Sequence, residues 1–134
     1  MRRQLLVLVL AIGLWPMIAG AVTRDDFLAQ TAQDLLHLCA ASPTDPLYTE
    51  AISFCHGYWV GAYQYYQAAA SGPQGTRFIC PPDPPLTRDE AVKMWIGWAR
   101  ERPQYMGERP VDHIFQFAAA PVAVSAVAWH RCAR

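Results

Sequence analysis

Apolar residues recur along residues 22–134 with the spacing of helices, and strand alternation persists nowhere. Leu28, Ala32, Leu35 and Cys39 fall on one helical stripe, which Leu36 and Leu38 widen. The pattern predicts a first helix over 24–40, with Thr23 as its N-cap and Asp25 and Asp26 at the positive end of its dipole. Ser42-Pro43-Thr44-Asp45-Pro46 then breaks the helix. A second helix is predicted over 47–70, with Ala51, Cys55, Tyr58, Ala62 and Tyr65 on one face and Ile52, Trp59, Tyr63 and Tyr66 beside it. Gly57 and Gly61 lie one turn apart within it, each costing about 1 kcal/mol against alanine. That cost predicts close packing of another backbone there. Glu50, His56 and Gln64 make the site a packing groove of a soluble helix, not a membrane G-x-x-x-G.

Residues 71–86 are rich in glycine and proline and read as a loop, with Phe78-Ile79-Cys80 as its apolar anchor. Prolines 81, 82, 84 and 85 predict a stiff, extended stretch. Thr87-Arg88-Asp89-Glu90 matches a capping box and opens a third helix over 88–101, with Val92, Trp95, Ile96 and Ala99 buried and Pro103 ending it. Pro110 suits the first position of a fourth helix near 111–118. Pro121 must kink or split the apolar region 111–130, so a final helix is expected near 121–130. The expected fold is all-α: a small, disulfide-stapled bundle of four to five helices with a proline-rich loop in the middle.

The N-terminus changes where this bundle works. Arg2 and Arg3 precede the apolar run of residues 5–14, and Ala19-Gly20-Ala21 supplies the small residues of a cleavage site. Residues 1–21 therefore read as a cleavable signal peptide, and 22–134 as one exported domain. The run is too short for a transmembrane helix of about 20 residues. The whole chain carries 11 basic and 11 acidic residues. Without Arg2 and Arg3 it keeps 9 basic against 11 acidic, a net charge of −2. That balance offers no basic stripe for nucleic acid and no polybasic segment for a membrane. All four cysteines, Cys39, Cys55, Cys80 and Cys132, lie in the exported part, and an even count there reads as two disulfides. Three pairings are open. The short span between neighbouring helices favours Cys39–Cys55, with Cys80–Cys132 tying the central loop to the C-terminus.

Candidate chemistry is sparse. Cys55-His56, and His130 near Cys132, could each pair a thiol with a base, but disulfides would consume the thiols. No C-x-x-C occurs, so neither a zinc pattern nor a c-type haem site is present, and no metal or other cofactor is expected. Asp25 with Asp26 and Asp89 with Glu90 sit at helix N-termini, where capping explains them, and Glu101 and Glu108 flank a turn among arginines. The aromatic cluster is more suggestive. Tyr58, Trp59, Tyr63, Tyr65 and Tyr66 cannot all point inward from one helix, so some cover the loop or face a partner.

The order of motifs is informative as a set. Leu36-His37-Leu38-Cys39 is followed by Phe54-Cys55-His56-Gly57-Tyr58-Trp59-Val60-Gly61, then Phe78-Ile79-Cys80-Pro81-Pro82, then Val92-Lys93-Met94-Trp95-Ile96 and Glu101-Arg102-Pro103, and finally Trp129-His130-Arg131-Cys132. This resembles the Rap1a/Tai immunity protein family over about residues 30–132. His130-Arg131 stands where that family more often has a proline before the last cysteine, and Pro121 interrupts a helix that is usually less broken. The resemblance implies a non-enzymatic periplasmic protein that binds a type VI secretion effector, typically a cell-wall amidase, and blocks its active site. It leaves a homodimer open. The competing reading is an exported envelope protein of the same fold with no toxin partner. Physical reasoning, not matched family contacts, selects Tyr63 and Tyr66 of the second helix, and Arg77 and the 81–85 stretch of the loop with Pro82 and Asp83 in it, as candidate contact residues.

Overall fold

The computed structural model describes residues 20–120. Its helices are α1 (Ala32–Cys39), α2 (Tyr48–Ala70), α3 (Arg88–Arg100) and α4 (Pro110–Ala119), with 3-10 turns at Asp25–Leu28 and Pro103–Tyr105. Among the described residues there is no strand, and the small all-α bundle read from the sequence is the fold. The helix expected near 121–130 lies outside the described residues, as does Cys132.

The first expected helix is two pieces. Thr23 and Asp26 cap only one turn: the Thr23 N–H donates to the Asp26 carboxylate at 2.7 Å and the Asp26 N–H to the Thr23 hydroxyl at 3.4 Å. Ala29 then turns left-handed, with φ 45°. Thr31 restarts the helix through a second box, its own N–H reaching Asp34 at 2.9 Å and the Asp34 N–H returning at 3.3 Å. A left-handed alanine costs roughly 1–2 kcal/mol. The docking of α1 offsets it: the Ala32 N–H meets the Glu108 carbonyl at 2.7 Å and the Gln33 N–H the Met106 carbonyl at 3.0 Å. These are orphan donors of a helix start, satisfied by the turn before α4.

Asp26 is buried, and burial alone would raise its pKa. The Thr23 N–H, the His37 ring at 3.0 Å and the Thr23 hydroxyl outweigh that and hold the carboxyl below its ordinary value. The Cys39–Cys55 disulfide, Cα atoms 5.1 Å apart, staples the end of α1 to α2. Cys80 is disulfide-bonded too.

Leu35, Cys55, Trp59, Val92, Trp95, Ile114 and Phe117 make the core among the four helices. Trp59 meets Trp95 edge-on at 5.7 Å and Phe117 at 6.2 Å. His113 is fully buried, and its Nδ1 accepts the Trp95 indole N–H at 3.0 Å. Its Nε2 has no partner among the described residues. The imidazole is therefore neutral, and burial pushes its pKa down, with Glu108 opposing and Arg102 adding to the shift.

Two expectations for α2 are corrected. Its buried residues are Ala51, Cys55, Trp59 and Tyr66, while Tyr65 is 77% exposed. Gly57 and Gly61 meet no other backbone: a methyl group added to either touches nothing within 4 Å among the described residues. Both lie on the helix side turned away from the Trp59 core.

Candidate partner-binding surface

The surface around the proline-rich loop is built from Tyr66. The residue is only 7% exposed, and its hydroxyl makes three bonds to the loop. It accepts the N–H groups of Phe78 and Ile79, both at 2.9 Å, and donates to the Ile79 carbonyl at 3.2 Å. One side chain thereby satisfies backbone groups that neither helix nor sheet provides for. The Phe78 ring closes over Tyr66 at 4.8 Å and reaches Phe115 of α4 at 5.9 Å. Ile79 is buried beneath them.

The loop leaves α2 through a tight return. Ser71 bonds its hydroxyl to the Gln67 carbonyl at 2.8 Å, and the Gly75 N–H meets the Gly72 carbonyl at 2.9 Å. A Cβ at Gly75 would stand 2.4 Å from the Ala69 carbonyl oxygen, so only glycine lets the loop double back over the end of α2. At the far end, the Glu90 carboxylate accepts the Thr87 hydroxyl at 2.6 Å and its N–H at 2.8 Å. Those bonds lower the Glu90 pKa and fix the start of α3. Beside them His56 faces Asp89 across α2 and α3 at 3.4 Å.

Two hollows flank the anchored segment. The larger, about 270 Å³, is walled chiefly by Trp59, Ile79, Pro85, Leu86, Ile114 and Phe115, with Arg88 on its lining. The smaller, about 210 Å³, is lined by Tyr66, Gln67, Ser71 and Arg77. Tyr63, Ile79 and Pro81 line both, so the two are neighbours along one surface.

Of the residues selected from the sequence, the fold brings Tyr63, Tyr66 and Arg77 together. Tyr63 is half-buried and Arg77 exposed. Tyr66 holds the loop from below instead of facing outward. Pro82 is buried and Asp83 exposed, and neither lines either of these two hollows. Pro81 and Pro85, the two ends of the selected 81–85 stretch, line the larger hollow, and Leu86, Arg88 and Phe115, which sequence reasoning missed as contacts, complete the surface. Arg88 was hidden by its place in a capping motif. Cys55 is bonded to Cys39, so the Cys55-His56 pair holds no thiol. The surface offers shape: an ordered, aromatic-backed loop between two hollows.

A family model of Rap1a immunity proteins matches residues 31–121. The chain belongs to the Rap1a immunity protein family. The match begins at the Thr31 cap and takes in α1 to α4, the Cys39–Cys55 staple and the anchored loop. No curated protein and no solved structure matches the chain. Membership in the Rap1a family supports an immunity function, the binding of a toxin effector.

Proposed function

We propose that this Rap1a protein is exported, loses residues 1–21, and in the periplasm binds a type VI secretion amidase and occludes its active site. The carrying observation is the loop 77–86, pinned at Phe78 and Ile79 to an immunity-family scaffold by the triple hydrogen bonding of Tyr66. A loop anchored before docking loses less entropy on binding than a free one, which favours tight inhibition. The basic and apolar N-terminal pattern supports export to the compartment where peptidoglycan lies. Among the described residues no helix is long and apolar enough to cross a membrane. The second disulfide, Cys80–Cys132, belongs to the same proposal, since export permits it.

The test is capture. Residues 22–134, produced in an oxidising compartment, serve as bait in an extract of the source cells, with reduced, unfolded bait as control. Recovery of a peptidoglycan amidase by folded bait alone is the expected result. Folded bait that recovers no hydrolase from cells shown to express their type VI effectors sinks the proposal in favour of an envelope protein without a toxin partner.

A further inference from the structure

The two hollows differ in character but agree in charge. The larger is walled almost wholly by apolar and aromatic side chains, and its one charged lining residue among those described is Arg88. The smaller is more polar, and its one charged lining residue among those described is Arg77. No described carboxylate lines either. Arg77 and Arg88 make no ion pair among the described residues. The carboxylates nearest Arg88 in sequence are engaged elsewhere, Asp89 with His56 and Glu90 with Thr87. Two cations without an ion-pair partner among the described residues thus stand along one surface, apolar at Arg88 and more polar at Arg77, of a domain with excess negative charge.

We propose that these hollows receive a protruding segment of the effector, with a large apolar side chain in the larger hollow and acidic side chains on Arg77 and Arg88. This rests on the immunity reading and extends it: the interface interlocks, the loop entering the effector and an effector segment entering beside the loop. Tyr63, between the hollows, supplies the aromatic anchor that protein interfaces favour. The opposite charges would steer encounter, so binding should weaken with salt.

Two measurements on the exported, processed protein test this. The first uses the amidase captured above. Arg77→Glu and Arg88→Glu should each weaken its binding on the order of tenfold at low salt, and less at high salt, with thermal midpoints unchanged. Unweakened binding would overturn the inference while leaving the immunity reading intact. The second measurement needs no effector. Amide chemical shifts are followed on adding the capped peptide Gly-Glu-Phe-Asp-Gly or its counterpart Gly-Lys-Phe-Lys-Gly. Shifts at Tyr63, Ile79, Ala91 and Phe115 with the acidic peptide only, lost in the double Arg77→Glu, Arg88→Glu variant, are expected. Equal response to both peptides would refute the inference. So would residues 121–134 already filling the larger hollow, or arginine-dependent binding to phosphatidylglycerol vesicles in place of the peptide.

Discussion

Replacing Tyr66 with phenylalanine keeps the ring and removes one oxygen. That oxygen holds two N–H groups and one carbonyl of the loop. Ile79 is only 3% exposed, so water cannot freely replace the lost partner at its N–H and C=O. A net intramolecular hydrogen bond contributes about 1 kcal/mol, and a buried group left unpaired costs about 1–3 kcal/mol. Two of the three bonds are buried and one is partly so. The expected loss is therefore about 2–4 kcal/mol, less whatever the loop recovers by moving toward solvent. For a domain of this size that lowers Tm by roughly 10–20 °C if the loop opens only with the whole fold. If it opens locally, Tm moves less, and the loss shows as faster amide exchange at Phe78 and Ile79. Hydrogen exchange followed by NMR, beside a thermal melt, separates the two cases. Exchange at both amides within about threefold of the wild type, with Tm shifted by less than about 2 °C, would refute the assignment of Tyr66 as the anchor.

Other consequences are simpler to check. Converting Cys39 and Cys55 to alanine opens a loop of sequence separation 16 and should cost about 3 kcal/mol in a urea titration; a loss under about 1 kcal/mol would contradict the staple. Gly57→Ala, where a methyl group meets no described residue, should stabilise by about 1 kcal/mol, whereas Gly75→Ala must displace the Ala69–Ala70 backbone and should destabilise; thermal melts giving the same sign for both would count against the geometry. Acid should weaken the fold in two windows. His113 has a lowered folded pKa, so the unfolded chain takes its proton first, and stability falls as pH drops below about 6.5. Asp26, also lowered, adds stability above its ordinary value of 3.8 that is lost as pH falls through its folded value. Urea midpoints should drop between about pH 7.5 and about pH 5 in the wild type and less in His113→Gln; equal midpoints at both pH values would remove His113 from the explanation.

Local signals in the sequence carried most of the fold. The Thr87-x-x-Glu90 box and Pro110 at a helix start depend on neighbours in the chain, and both stand where they were expected. The Cys39–Cys55 pairing followed from two adjacent helices. The break before α1 had one local signal, the Thr31-x-x-Asp34 box, which the continuous apolar stripe masked; the left-handed Ala29 had none, because its compensating bonds come from Met106 and Glu108, far along the chain. On α2 the period was ambiguous. At about 100° per residue, Tyr65 and Tyr66 lie about 40° and 60° to either side of Ala51. The loop decides between them, since only Tyr66 finds backbone groups to bond. The cost of Gly57 and Gly61 was real, yet cost alone does not say which way a glycine faces. The binding surface was half legible for the same reason: aromatic and proline content pointed to the region, while the joining of Arg77 to Arg88 along one surface needed the folded chain.

The most direct test is inhibition. The captured hydrolase would digest purified peptidoglycan while the processed protein is titrated in, beside a folded variant in which residues 77–86 are replaced by a glycine–serine linker that retains Cys80. The account predicts that digestion stops near one inhibitor per enzyme with the native protein and continues with the loop variant. Equal inhibition by both, or undiminished digestion with the native protein, would contradict it.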